Sequence, residues 1–223
     1  MKNLSKILAA FVCAALLFTL AACSQKTNTT STEPSGSETT EAPTTELNVP
    51  TVENKTKFDT TKNVFVTFTI KDMGEFQVEL YPEYAPNTVT NFVNLADSGY
   101  FDGTVFHRVV DDFMAQGGQN TETEVDSIFG EFKSNGFEKN TLHHERGVIS
   151  MARATDPNSA TGQFFICYTD CDSLDGNYAA FGKVTYGMDV LDSFLEVERA
   201  MNSMGEIATP LEDIIIEKTV VSQ

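Results

Sequence analysis

The sequence has no tryptophan, only three histidines, four cysteines, and 15 basic residues set against 32 acidic ones. Each shortage excludes something. With a formal net charge of −17, the surface repels phosphate backbones and anionic headgroups, which argues against nucleic acid as a partner. The surplus lies in the folded part: from residue 58 onward there are 27 acids against 10 bases, the pattern of a solvated acidic face. His143 and His144 are neighbours and in extended chain point apart, so no metal site or other cofactor is expected. No internal repeat is visible. Nor is there the βαβ pattern that a two-lobed solute-binding protein requires.

No apolar run is long enough to span a bilayer comfortably; the longest, Ile7 to Leu20, follows the two lysines of "MKNLSK" and ends in "LAAC", Leu20 to Cys23. This resembles a bacterial lipobox. It implies a signal peptide over residues 1–22, a diacylglyceryl group on Cys23, and a bacterial cell-envelope protein anchored by lipid to the outer face of a membrane. Each buried acyl methylene adds about 0.8 kcal/mol to such an anchor. Ser24 to Lys57 is rich in Ser, Thr, Glu and Pro and has almost nothing apolar to bury. Residues 23–57 are therefore expected to be a disordered tether with a mean reach of about 30 Å. Cys13 leaves with the signal peptide. Cys167 and Cys171, in "FFICYTDCD", could form a disulfide or fill the core as thiols.

From residue 58 to 223 the pattern is that of one domain. "NVFVTFTI" and "EFQVELY" alternate with period two around a "KDMG" turn and predict a hairpin. "APNTVTNFVNLADSGY" predicts a helix, with Pro86 in its first turn, a stripe of Val89, Phe92, Val93 and Ala96, and Gly99 at its end. A polar loop is expected from Asn120 to about Thr141. "GVISMAR", "QFFICY", "AAFGKVT" and "LEDIIIEKTVV" are further strands, and "GMDVLDSFLEV" a second helix. Many short strands with two helices give a mainly β fold, an antiparallel barrel with its ends covered by the helices.

The segment "VFHRVVDDFMAQGGQ", Val105 to Gln119, sets an arginine in an apolar run. With "GVISMARATDPNSATGQFFI" and "LDGNYAAFGKVTYGMDVL" it resembles, in order and spacing, three sequence blocks of the cyclophilin-type peptidyl-prolyl isomerases. The resemblance covers about Asn63 to Val221. It implies a closed antiparallel eight-stranded β-barrel capped by two α-helices. It places the catalytic arginine at Arg108, acting with Phe113 and Gln116. It places the proline pocket at Phe113, Met114, Phe165 and Leu174, amide contacts at Gln116 and Gln163, a main-chain contact at Ala152–Arg153, and Tyr178 on the groove wall. His107 is expected to be structural, sent to the face opposite Arg108 by alternation.

Those residue types suit rotation about X-Pro bonds. The barrier arises from delocalisation of the nitrogen lone pair, and no bond is broken. An apolar pocket holds the ring, and a fixed cation donates to the lone pair as it localises in the twisted state. The expected function is therefore isomerisation of X-Pro bonds in unfolded or exported proteins, by a monomer. The competing reading, a chaperone-like module that only binds such segments, has no use for the arginine. Two positions depart from the eukaryotic branch as the resemblance aligns it: Ser173 stands where tryptophan is usual, and Tyr178 where histidine is. The loop after Gln119 is acidic.

Cyclosporin should therefore inhibit weakly. In the eukaryotic branch the indole at the Ser173 position donates to the drug and covers it. Losing both costs about 2–4 kcal/mol, roughly 30- to 1000-fold in affinity. Ser173→Trp should tighten the drug more than it alters turnover. Nanomolar inhibition of the natural sequence in a titration would contradict this.

Overall fold

The computed structural model describes Leu47 and residues 49–223. The expected signal peptide, Cys23 and most of the expected tether lie outside the described residues. The alternating runs become strands: β1 (Val64–Ile70) and β2 (Gly74–Leu80) pair antiparallel from Val64↔Leu80 to Ile70↔Gly74. Helix α1 (Pro86–Asp97) follows, then β3 (Val105–Phe106), β4 (Arg108–Val110) and β5 (Met114–Gly117). The second half holds β6 (Val148–Met151), β7 (Phe164–Cys167), β8 (Ala180–Tyr186), α2 (Met188–Ser193), β9 (Arg199–Met201), β10 (Ile207–Pro210) and β11 (Ile214–Ser222).

Nine strands form one antiparallel sheet in the order β3-β11-β1-β2-β8-β6-β7-β5-β4. Its two edge strands, β3 and β4, are consecutive pieces of one strand parted at His107. β3 pairs with β11 and β4 with β5, so the sheet nearly closes on itself and the barrel counts eight strands. Phe106 and Val109 are both buried, so the alternation slips by one at the break. His107 is consequently half-buried rather than sent into the core. Its Nδ1 has no hydrogen-bond partner among the described residues, and burial lowers its pKa.

Phenylalanine fills the interior in the absence of tryptophan. The rings of Phe68 and Phe76 stack at 4.7 Å, while Phe92 meets Phe181 at 5.0 Å and Phe106 meets Phe164 edge-on at 5.7 Å. Helix α1 buries Val89, Phe92, Val93 and Ala96 against β1 and β11. The second helix is shorter than its pattern suggests: Met188–Ser193 continues as a 3-10 turn, Phe194–Glu196. Gly187 opens it at φ +77° with Phe76 and the Glu75 carbonyl against its Cα, a place with no room for a side chain.

Two further expectations need correction, and one hairpin has no counterpart in the sequence reading. The segment from residue 49 to 57 is bound to α1: the Val52 and Lys55 N–H groups donate to Asn87 and Asn94 Oδ1, both at 2.8 Å, and Asn94 Nδ2 donates to the Glu53 carbonyl at 2.8 Å. Composition misses this because the segment is fixed mainly by asparagine hydrogen bonds, with Val52 packed against the core beside them. The Asn120–Thr141 loop contributes buried Ile128, Glu131 and Phe132, and Ile128 bridges to Ala160. The hairpin of β9 and β10 was not anticipated at all; its strands are too short to show alternation.

Glu131 explains how α1 begins. Its N-cap residue, Ala85, has no side chain to cap the helix. The fully buried Glu131 carboxylate does so from a distance, accepting from the N–H groups of Asn87 (3.0 Å) and Thr88 (2.8 Å) and from Thr88 Oγ1 (2.8 Å). Burial pushes its carboxyl above the usual range, against the pull of those donors. Glu131→Ala would leave three buried donors unmatched and should cost about 2–4 kcal/mol. Urea unfolding should show a lower midpoint at unchanged slope. An unmoved midpoint would remove Glu131 from this role.

Candidate active site

Outward-facing residues of β4, β5 and β7 make a second apolar cluster on the outer wall of the barrel. Met114, Phe165, Cys167 and Cys171 are buried there, with Val110, Phe113, Ala152, Leu174 and Tyr178 packed around them. Register brings these residues together: Arg108 sits opposite Gln116, which in turn sits opposite Phe165, and Met114 lies between Val110 and Cys167. Period two assigns the neighbours their sides. Phe164 joins the core and Phe165 the outer cluster, as the alternation from Gln163 predicts.

A cavity of about 140 Å³ opens over this cluster. Of the residues expected at the site, Arg108, Phe113, Met114, Gln116, Ala152, Arg153, Phe165, Leu174 and Tyr178 all line it. Gln163 stands behind as support: its Oε1 accepts from Gln116 Nε2 at 3.1 Å, and its carbonyl accepts from the Ala152 N–H at 3.0 Å. Arg153 braces the far wall. Its guanidinium lies between the rings of Tyr178 (4.6 Å) and Phe132 (5.1 Å) and donates to the Asn177 carbonyl at 2.9 and 3.2 Å. Ser173 is exposed and does not line the cavity.

Arg108 is not the lone cation its sequence context suggests. Nε and Nη2 donate to the two carboxylate oxygens of Glu206 at 2.9 and 2.7 Å. Nη1 lies on the other side, 3.4 Å from Gln116 Oε1 and 3.9 Å from Met114 Sδ, with the guanidinium 5.7 Å from the Phe113 ring centre. The arginine's hydrogen bond and the Asn202 side chain hold the Glu206 carboxyl down at about 2. Sequence reasoning missed Glu206. In so acidic a chain one more glutamate carries no signal, and the only local cue was the Asn-x-x-Gly turn before it.

A polar chain stiffens the pocket floor. Asp175 accepts from His144 Nδ1 at 2.8 Å and from the His144 N–H at 2.8 Å, and His144 Nε2 takes up Ser150 Oγ at 2.9 Å. The imidazole stacks on Phe165 with rings 5.9 Å apart and 14° from parallel. Burial lowers the His144 pKa against the pull of Asp175. Burial raises Asp175, but its hydrogen bonds from the histidines outweigh that and hold it low. The other oxygen of Asp175 takes His143 Nδ1 at 2.6 Å, which raises the His143 pKa. Both imidazoles thus turn to one carboxylate, contrary to the alternation expected of them, because this stretch is loop rather than strand. Cys167 and Cys171 are free, buried thiols, pushed up by desolvation.

The model of the cyclophilin type peptidyl-prolyl cis-trans isomerase/CLD family matches residues 65–221. Peptidyl-prolyl cis-trans isomerase-like 1 of Neurospora crassa is 43% identical over 143 residues, 63% of this chain and 81% of the relative. Peptidyl-prolyl cis-trans isomerase CYP57 of Arabidopsis thaliana is 42% identical over 142 residues, 63% of this chain, but the match spans only 26% of that longer protein. Among solved structures, a cyclophilin type peptidyl-prolyl cis-trans isomerase of Cryptosporidium parvum superposes with a TM-score of 0.59 at 27% identity, covering 73% of this chain and 99% of its own. That protein was also crystallised in the presence of the dipeptide Ala-Pro.

Removing the cation tests the geometry. Arg108→Ala should fold normally and lose about two to three decades in kcat/KM, about 3–4 kcal/mol of transition-state stabilisation. The freed Glu206 carboxylate is partly exposed and can be solvated, so thermal stability should hold. Near-normal turnover in a folded variant would exclude Arg108 from the chemistry.

Proposed function

The chain belongs to the cyclophilin-type peptidyl-prolyl cis-trans isomerase family, and from that premise we propose that it isomerises X-Pro bonds in exported polypeptides at the outer face of a bacterial membrane. The observation that carries the chemistry is the placing of Arg108 Nη1 beside Met114, Phe113 and Gln116 at the rim of a cavity floored by apolar side chains. A proline ring seated on Met114, Phe113 and Phe165 leaves water behind, and with it the solvent that favours the charge-separated planar amide. As the bond twists, the lone pair localises on nitrogen and becomes an acceptor. Arg108 can donate to it in that state and not in the planar one, which is the differential contact that lowers the barrier. An acceleration of about 10⁵ corresponds to about 7 kcal/mol. One charge-assisted hydrogen bond together with desolvation is of that order.

Gln116 and Gln163 supply the polar contacts that align the peptide. Gln116 Oε1 takes the arginine and its Nε2 the Gln163 oxygen, so the two amides are mutually oriented before substrate arrives. A module built only to hold proline would not need an oriented donor at the position of the amide nitrogen. The site on an outer wall also suits long, unfolded clients, because an extended segment can cross it without threading into the barrel.

The reading of location rests on "LAAC" and on the Ser/Thr-rich segment after it. A lipid on Cys23 would leave the domain free to sample segments emerging beside the membrane. Two measurements test the proposal separately. A protease-free isomerisation assay on an X-Pro peptide, using the chain from Ser24 onward, should show turnover; its absence would refute the activity here. Cys23→Ala should release the protein from membranes or leave its signal uncleaved. An unmodified Cys23 in the mass spectrum of membrane-bound protein would refute the anchor and leave the chemistry untouched.

A further inference from the structure

We propose that Glu206, fixed in turn by Asn202, is a positioning residue that aims the Arg108 guanidinium into the groove; this rests on the isomerase reading of that groove. An arginine side chain has large rotamer freedom. Donation to a lone pair that exists only in the twisted state demands one orientation, set beforehand. Glu206 supplies it. By taking Nε and Nη2 through both carboxylate oxygens it holds one whole edge of the planar fork. The remaining terminal nitrogen, Nη1, is thereby turned toward Gln116 and Met114.

Glu206 is itself built into a rigid turn. Asn202 Nδ2 donates to Glu206 Oε2 at 2.8 Å. Asn202 Oδ1 accepts from the N–H groups of Met204 (2.9 Å) and Glu206 (3.0 Å), and the Asn202 N–H donates to the Glu206 carbonyl at 2.8 Å. Gly205, at φ +82°, makes the tight reversal possible. The hairpin is fastened beside the arginine's own strand by Arg199, which donates to the Val109 carbonyl (3.3 Å), the Leu195 carbonyl (3.2 Å) and Asp111 Oδ1 (2.9 Å).

A carboxylate beside the reacting cation also opposes its charge, so two effects compete. The side chains of Arg108 and Glu206 keep 20% and 32% of their exposure. Water therefore screens much of the Coulombic opposition. Direction is not screened: a guanidinium that swings away donates nothing. Orientation wins, and Glu206 assists.

The test is kinetic and spectroscopic. Glu206→Gln preserves shape but sets an amide N–H₂ against an arginine N–H₂, which breaks the two-point grip. We expect kcat to fall about tenfold with KM within about twofold, since only the transition state uses the orientation. Glu206→Asp should recover part of the loss, and Asn202→Ala should cost about threefold. In the proton–nitrogen NMR spectrum the Arg108 Nε–Hε signal should be sharp and slowly exchanging in the natural protein and lost in Glu206→Gln. Undiminished or raised kcat in a folded Glu206→Gln protein overturns the proposal, as does an effect confined to KM or an unchanged Nε–Hε signal. A natural protein without turnover would instead overturn the isomerase reading itself, while the signal still reports whether Glu206 holds the arginine.

Discussion

The pleat of the β-strand is the constraint on which the rest depends. Because successive side chains take opposite faces, one set of strands must serve two apolar clusters. The inner set, Phe68, Phe76, Phe106 and Phe164 among them, closes the barrel core. The outer set, Met114, Phe165 and their neighbours, forms the floor of the groove. Phe164 and Phe165 show the division within two residues. A slip of one residue in the register of β7 would exchange them and abolish core and pocket together. The site is therefore as firmly specified as the fold.

Three carboxylates do at a distance what local sequence does not. Glu131 caps a helix more than forty residues before it, Asp175 ties the Leu174 turn to His144 and so to the Phe165 ring, and Glu206 grips Arg108 from a separate hairpin. Glu131 and Glu206 each join a loop to a regular element, and Asp175 joins two loops. In a chain with so large an acidic surplus most carboxylates face water, and these few act because the fold brings N–H donors to them. Their energetic character differs with burial. Glu131 is fully enclosed and its donors have no alternative, whereas Glu206 is about a third exposed and matters for geometry more than for stability.

What was legible in the sequence was what repeats locally. The alternation of "NVFVTFTI" and "EFQVELY", the stripe of α1 and the placing of Phe164 and Phe165 on opposite faces all follow from period. The residues around the cavity were legible through resemblance, and the structure gathers them. What escaped was long-range pairing. Residues 49–57 read as tether because their anchors are asparagine side chains on α1, and Glu206 read as one acid among many. His107 was misjudged for a different reason: alternation fails where a strand breaks, and nothing in "VFHRVV" marks the break.

That break has a further meaning. The strand carrying Arg108 is also the seam of the barrel, its first half bonded to β11 and its second to β5. Parting the seam would bare two rows of unpaired backbone groups, the surfaces through which sheets of different molecules recruit one another, and in the same motion carry the arginine off the groove. Loss of the groove and exposure of those edges would thus share one trigger. Closure of the barrel and the aim of the arginine are therefore one and the same condition on this strand.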